Sequence, residues 1–439
     1  MTSLREAAVS VVARLRSAGH AAYLVGGCVR DRLLVRPEKD YDVATSARPE
    51  VVAGLFSETF FVGARFGVSL VRFEGHSIEV VTFRRDGEYR NHRHPEDVDF
   101  GTIEDDAARR DFTINALYED PISGDIVDFH GGLADLRAGV VRAVGRPEQR
   151  FHEDALRLLR AIRFAARLGF RIEEETWSAI KDLAHSIEFI SPERHRAELN
   201  LMLLDPSAAS ALRMMDECGL LQWLLPEIRA MHGVEQGSLW HPEGDVFVHT
   251  MLVLQHVEPR TIETVWGALL HDVGKPPTFE KDLKTGRISF IGHHRVGAEM
   301  AREILGRLRF SNEEIKHISA TVERHMTFME TPRMKPSTLR RFLSAPTIQT
   351  DLAVHRADCL GSRGMLDYWH LCRAELEKQA SASQEVVPPP LLNGRDILAL
   401  GVEPGPIIRR ILEQIQDAQM DGRITTREEA LDFAKGLLP

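Results

Sequence analysis

Two aspartates two residues apart, Asp40 and Asp42, follow shortly after a pair of adjacent glycines, Gly26 and Gly27. On an extended segment alternate side chains share a face, so the two carboxylates point the same way. Like-facing carboxylates are what a pair of hard divalent cations, Mg²⁺ above all, needs for in-line displacement at phosphorus. Without Cβ atoms the glycines let backbone N–H groups approach an anion closely, and a helix beginning behind them adds the positive end of its dipole. Arg30 contributes a cation within that helix's first turn. A second such triplet, Asp97-Val98-Asp99, has no glycine turn ahead of it, so the surroundings single out the first pair.

Three further stretches carry chemistry. In Arg109-Arg110-Asp111, a guanidinium beside a triphosphate can hold phosphate or ribose, while Asp111 can accept from a 2′-hydroxyl. Between Phe151 and Leu168, one continuous helix would gather Arg157, Arg160, Arg163 and Arg167 into one sector around Glu153, opposite Leu158, Leu159, Ile162 and Ala165. Such a face is ordinarily solvated and salt-bridged, but left unopposed it would form a cationic stripe suited to phosphate. On that single helix Arg163 falls about half a turn from Asp154. The third stretch is rich in histidine: His249 on an apolar helix, His271-Asp272 closing another, then His293-His294, His325 and Asp358. Imidazoles and carboxylates from several helices can collect divalent metal, which activates water against phosphoesters.

The elements that must position these groups are legible in outline. Residues 3–19 have a helical apolar pattern ending at Gly19, and Ala22–Val25 is a short apolar strand entering the glycine turn. Val29 to Leu34 continues as a helix, Pro49 to Phe56 as another, and residues 60–62, 68–73 and 76–83 alternate as strands. Glu79 on the last of these is either a third carboxylate beside the Asp pair or a strand-surface residue. Asp86 to Phe100 is polar, interrupted by Pro95, and expected as a mobile surface loop. Around Ala107 to Leu117 a charged helical turn would feed an apolar face, and Ile126 to Gly132 reads as a strand and glycine turn. From Glu173 to about Ile228 the pattern is uninterrupted amphipathic helix, and Ser381 to Pro390 is the clearest linker.

Leu24-Val25-Gly26-Gly27-x-Val29-Arg30-Asp31 followed by Asp40-x-Asp42 resembles the signature of the class II tRNA nucleotidyltransferases. That family includes the CCA-adding enzymes and bacterial poly(A) polymerases, and the resemblance extends over nearly the whole chain. Arg109-Arg110-Asp111 and Glu153-Asp154-Ala155-Leu156-Arg157 match two further family motifs. The resemblance implies that Asp40 and Asp42 bind Mg²⁺, and that Gly26, Gly27, Arg30, Arg110, Asp111, Arg160 and Arg163 hold triphosphate or ribose. It also implies that Asp154 and Arg157 read the base. The amino groups of cytosine and adenine can donate to a carboxylate while their ring acceptors take a guanidinium; guanine and uracil would set acceptor against acceptor. CTP, ATP and the 3′ end of tRNA are then the expected substrates, and CMP, CMP and AMP the expected additions. In CCA-adding and A-adding relatives a flexible loop stands where Asp86 to Phe100 stands here, whereas CC-only enzymes resemble versions without it.

The histidine-rich segment resembles the HD phosphohydrolase superfamily. By that likeness His249, His271, Asp272 and Asp358 are the core ligands of a divalent metal of unstated identity, with His294 and His325 available for a second.

The expected fold class is α+β. A nucleotidyltransferase head at 1–150 with a mixed sheet would precede a helical neck and body at 151–235. An HD domain at 236–380, a linker at 381–390 and a helical, tRNA-gripping tail at 391–439 would follow. A chain of 439 residues is too long for one core, and its net charge of −10 argues against indiscriminate nucleic-acid binding while permitting a local basic track between Arg146 and Arg171. No apolar run approaches bilayer length, the N-terminus lacks a signal-peptide pattern, and four cysteines without a C-x-x-C pair suggest neither disulfides nor zinc, so a cytoplasmic protein is expected. Three rivals stay open: an A-adding enzyme or poly(A) polymerase, an HD hydrolase with a nucleotide-sensing head, and a non-catalytic RNA-binding protein.

Overall fold

The computed structural model describes residues 2–438 except 39, 64–66, 87–88, 91–93, 96–97, 238–243, 382–388 and 421. It comprises two compact units, Met1–Arg229 and Ala230–Pro439.

The first unit begins with α1 (Leu4–Ser17), whose N-terminus is closed by a capping box in which Ser3 and Glu6 satisfy each other's backbone N–H groups. Its apolar stripe, Ala7, Ala8, Val11, Val12 and Leu15, is fully buried. Behind it lies a seven-stranded sheet: β1 (Ala22–Val25), β2 (Asp42–Thr45), β3 (Thr59–Gly63), β4 (Val68–Phe73), β5 (His76–Thr82), β6 (Leu117–Glu119) and β7 (Ile126–Asp128), in the order β7-β6-β1-β2-β5-β4-β3. Its pairs are antiparallel except β2 with β5, which run parallel. α2 (Gly27–Leu33) leaves the glycine turn and α3 (Pro49–Leu55) joins β2 to β3. Residues 84–86 pair with 98–100, and Tyr89–Arg90 with His94–Pro95. Residues 87–88, 91–93 and 96–97 of the expected surface loop lie outside the described residues.

Three helical expectations need correction. The Arg109-Arg110-Asp111 string does not open a helix: it follows the end of α4 (Ile103–Ala108), whose capping box is Thr102 and Asp105. A 3₁₀ turn, Thr113–Asn115, then carries the chain into β6. α5 (Gly132–Ala138) follows β7. Phe151 to Leu168 is not one helix but the end of α6 (Pro147–Glu153) and α7 (Leu156–Leu168), broken at Asp154, whose backbone is extended (φ −147°, ψ 102°). Arg163 and Asp154 therefore do not share one helix, and their relative orientation is not the half turn expected of one. The run from Glu173 is likewise interrupted, giving α8 (Glu174–Leu183), α9 (Pro192–Leu203) and α10 (Ala208–Glu217) with shorter turns. Pro192 begins α9 where a missing N–H costs nothing.

The second unit is almost entirely helical: α11 (Val246–His256), α12 (Ile262–Leu270), α13 (His293–Arg307), α14 (Asn312–Arg324), α15 (Pro336–Leu343), α16 (Ile348–Gly361) and α17 (Asp367–Ser381). Residues 382–388 of the expected linker lie outside the described residues. Beyond them α18 (Gly394–Ala399), α19 (Pro406–Met420) and α20 (Arg427–Lys435) share a small core around Ile397, Ile411, Ile415 and Ala430. Among the described residues no helix is long and apolar enough to cross a membrane, and the four cysteines are free thiols.

Candidate active sites

In the first unit, β1 ends at Val25 and Gly26 turns the chain with φ +79° and ψ −127°, a region closed to most side chains, so that α2 starts at Gly27. A Cβ on Gly26 would stand 3.4 Å from Arg110 Nη1, so the turn rests against that guanidinium. Asp42 opens β2 with Val25 across from it on β1 and Glu79 across from it on β5. Residues paired across neighbouring strands share a face of the sheet, so Glu79 stands beside Asp42. Asp40 lies just before the strand and is exposed.

Burial pushes the Asp42 carboxyl up to about 6; Glu79 and Asp40 add to the rise and Arg110 opposes it. Burial raises Glu79 as well. Mutual repulsion of this kind is relieved by a divalent cation, and the oxygen-only donor set suits Mg²⁺.

Arg110 is anchored from beneath. Asp106, fully buried, accepts from Arg110 Nη2 (3.0 Å), Arg109 Nε (2.9 Å) and the Tyr118 hydroxyl (2.6 Å). Arg30 is buried rather than reaching outward: its Nε donates to Asp31 Oδ1 (2.8 Å), its Nη1 to Asn115 Oδ1 (2.6 Å), and it lies 5.0 Å over the Phe164 ring. Asp111 accepts from Asn115 Nδ2 (3.1 Å), its neighbour's N–H at Phe112 (2.8 Å) and Arg160 Nε (2.8 Å). Burial works against its charge, yet Arg160 and Asn115 hold it down at about 2.

The arginines of α7 are not an unopposed stripe. Arg157 Nη1 donates to Glu153 Oε2 (2.8 Å) and to the Arg150 carbonyl (3.1 Å), and its Nη2 to the Arg109 carbonyl (3.0 Å). Arg160 is shared between Asp111 (2.7 Å) and Glu198 (3.5 Å), Arg163 pairs with Glu198 (2.6 Å), and Arg167 faces Asp31 (3.7 Å) and Asp205 (3.9 Å). Arg157 and Arg163 are buried, and a buried guanidinium is tolerated only with its charge met. Asp154 accepts both Nη groups of Arg194, at 3.1 and 2.7 Å. Glu198 and Arg194 arrive on α9, 35 and 40 residues along the chain from Arg163 and Asp154, so the pattern within Phe151 to Leu168 carries no sign of them.

In the second unit, α11 carries His249, α12 ends at His271-Asp272, α13 begins at His293, His325 follows α14, and α16 carries Asp358. Among the described residues the two groups whose ligand atoms lie within 4.8 Å of one another are His249–His271–Asp272 and Asp272–His293–His325. Asp272 is common to both. Its Oδ2 is 3.2 Å from His271 Nε2 and 3.8 Å from His249 Nε2, and its Oδ1 is 3.5 Å from His293 Nε2 and 3.7 Å from His325 Nε2. Asp358 Oδ1 meets His249 Nε2 at 3.0 Å.

The histidine tautomers are fixed by what the far side of each ring touches. The Nδ1 atoms of His271, His293 and His325 face the carbonyls of Ala268 (2.8 Å), Phe290 (2.9 Å) and Val322 (2.7 Å). A carbonyl only accepts, so each Nδ1 carries the hydrogen and each Nε2 turns a lone pair inward. Burial drives His325 down to about 3, keeping it neutral, while the Lys275 ammonium, 2.6 Å from Asp272 Oδ2, helps hold that buried carboxylate well below its usual range. Neutral imidazoles and an ionised, bridging carboxylate are the forms that ligate divalent metal, so the residues fit a two-metal centre.

Of His293-His294, the structure brings His293 into the cluster and not His294, the one expected from the sequence. α13 starts at His293, whose ring faces His325 (Nε2 to Nε2, 3.2 Å); His294, about 100° further round the helix, is half-buried and outside both groups. Gly274 explains how His293 comes so near: a Cβ there would meet the His293 carbonyl at 2.1 Å and Gly297 N at 2.5 Å. Lys275 also went unassigned, and its Nζ reaches Asp272 Oδ2 (2.6 Å) and Gln236 Oε1 (2.6 Å).

Comparison with known proteins gives three matched segments: a poly A polymerase head domain at residues 22–142, a probable RNA- and SrmB-binding site of polymerase A at 169–231, and an HD domain at 246–361. An A-adding tRNA nucleotidyltransferase of Deinococcus radiodurans is 34% identical over 94% of this chain and 95% of its own. A CC-adding tRNA nucleotidyltransferase of Thermus thermophilus is 34% identical over 94% of this chain and 92% of its own. The crystal structure of the Bacillus stearothermophilus CCA-adding enzyme in complex with CTP superimposes with a TM-score of 0.74 at 28% identity, covering 99% of this chain and 98% of that one.

Proposed function

We propose, for a chain that belongs to the tRNA nucleotidyltransferase family, the template-independent addition of CMP, CMP and AMP to the 3′ end of tRNA from CTP and ATP. The observation that carries the reading is the pairing of Asp42 with Glu79 in parallel register, beside Asp40 and within the field of Arg110.

Divalent cations held by Asp40, Asp42 and Glu79 would supply charge neutralisation at the triphosphate and acidity at the primer 3′-hydroxyl, as in-line phosphoryl transfer requires. The remaining roles fall to this chain's own groups. The Gly26–Gly27 turn offers backbone N–H groups to a phosphate, and Arg110, braced by Asp106, lies against the same turn. Arg160 and Arg163, paired here with Asp111 and Glu198, would hold the triphosphate, and Asp111 would accept from a ribose hydroxyl. Asp154 accepts the amino N–H of cytosine or adenine, and Arg157 donates to the neighbouring ring acceptor, so U and G are refused without a nucleic-acid template.

The Deinococcus relative favours a second reading, addition of the terminal A alone. Incubating the protein with tRNAs ending before, within or after CC, plus CTP or ATP, separates the two. Extension from the discriminator base with CTP together with addition from ATP on the CC end supports the full reaction; use of ATP alone, or of CTP alone, overturns it.

The second unit is proposed as a phosphoesterase. Metals held by His249, His271, Asp272 and Asp358 on one side and by Asp272, His293 and His325 on the other would supply a water acidic enough to attack phosphorus. Lys275, beside Asp272, places a cation at the edge of that centre. Release of product from a generic phosphoester by the wild-type chain, lost in His271→Ala, tests this.

A further inference from the structure

We propose that Arg194 is a positioning residue that sets nucleotide specificity: it clamps Asp154 so that the carboxylate presents one open acceptor position and cannot withdraw it. The inference rests on the reading of Asp154 as a base reader.

Asp154 stands in the break between α6 and α7, on extended backbone. Arg194 stands in the first turn of α9. Its Nη1 donates to Asp154 Oδ1 (3.1 Å) and its Nη2 to Oδ2 (2.7 Å), the fork-to-fork arrangement that locks a carboxylate in plane. The Leu156 backbone N–H donates to Oδ1 as well (3.1 Å). An ionised carboxylate has about four acceptor positions. Two on Oδ1 and one on Oδ2 are filled, so the remaining position is on Oδ2.

One N–H of an amino group fills that position. A base with a carbonyl there sets oxygen against oxygen. A carboxylate free to turn about χ1 and χ2 would swing aside and let water mediate, and the mismatch would become cheap. A clamped carboxylate cannot, so refusal of U and G comes from Arg194 as much as from Asp154. Arg157 is held in the same spirit, by Glu153 and two backbone carbonyls.

The test is kcat/KM of the full-length chain for CTP, ATP, UTP and GTP on tRNAs ending at the discriminator and at CC, with Arg194→Met, Arg194→Lys and Asp154→Asn. Arg194→Met is expected to narrow the C-over-U and A-over-G ratios by on the order of 10- to 100-fold, the worth of a charged hydrogen bond. Arg194→Lys keeps the charge but not the fork, and is expected to fall between Met and wild type. A purely structural role would lower all four nucleotides in proportion; unchanged ratios in Arg194→Met therefore overturn the proposal, as does faster use of CTP and ATP at unchanged ratios. Asp154→Asn separates the two failures: a collapsed ratio there with an intact one in Arg194→Met sinks the clamp alone, whereas an intact ratio in Asp154→Asn sinks base reading and the clamp with it. Should Arg194→Met not fold, Arg194→Lys decides, since its ratio must still be narrower than wild type.

Discussion

The two candidate sites gather carboxylates and cations by opposite strategies. In the first unit Glu79 and Asp40 oppose the charge of Asp42, and each nearby arginine is already engaged with a carboxylate or carbonyl. In the second, three imidazoles are oriented by backbone carbonyls and converge on one buried carboxylate. The first arrangement suits cations and phosphates that arrive and leave with every turnover; the second suits metal that stays.

The comparison breaks first on activity. Asp42→Ala is expected to reduce nucleotide addition on the order of 10³-fold or more and leave phosphoester hydrolysis intact, with His271→Ala doing the reverse. Parallel loss of both activities in either variant would show the sites to be dependent. The next largest effect is thermal. Loading the chelated chain with a transition metal should raise Tm by about 5–10 °C, as expected for a ligand at a hundred times its Kd. Asp272→Ala should abolish that rise, and millimolar Mg²⁺ acting through the head should not reproduce it. A third measurement sharpens the metal count: His293→Ala should drop bound metal from about two equivalents to about one, while His294→Ala should leave it unchanged.

The smallest effect is one of pH. The Asp42 carboxyl titrates at about 6 in the fold against 3.8 unfolded. Between those values the native state holds the extra proton, so its stability falls as pH rises through the window, and the penalty is complete above it. Metal-free Asp42→Asn should therefore be more stable than the parent near neutral pH by about 1 kcal/mol, discounting a fully buried value of about 3 for partial exposure. That advantage should shrink as pH falls toward 4, and Mg²⁺ should erase it by stabilising only the parent.

Much of this was legible in the sequence where chemistry and local geometry coincide. The β1–glycine–α2 turn, the alternating strands and the His271-Asp272 helix end all follow from neighbours within a few residues. Partners brought by other elements were not. Glu198 and Arg194 look like ordinary charges on a helix, yet they neutralise Arg163 and clamp Asp154. The choice between His293 and His294 depended on where α13 begins, a matter of one residue. The break at Asp154 was hidden because Ala155 to Leu168 has a full helical pattern and nothing in Phe151-His152-Glu153 interrupts it.

The parallel pairing of β2 with β5 has a consequence for how such a chain can vary. Along β5, Ile78, Val80 and Thr82 point into the interior while Ser77 and Glu79 point away, in step with Asp42 on β2. Sliding one strand by a single residue would drive Glu79 inward and turn Ile78 and Val80 to water. A lineage that drifts in this sheet therefore cannot keep its shape and misplace its acids: quality control over folding inspects the chemistry at the same time.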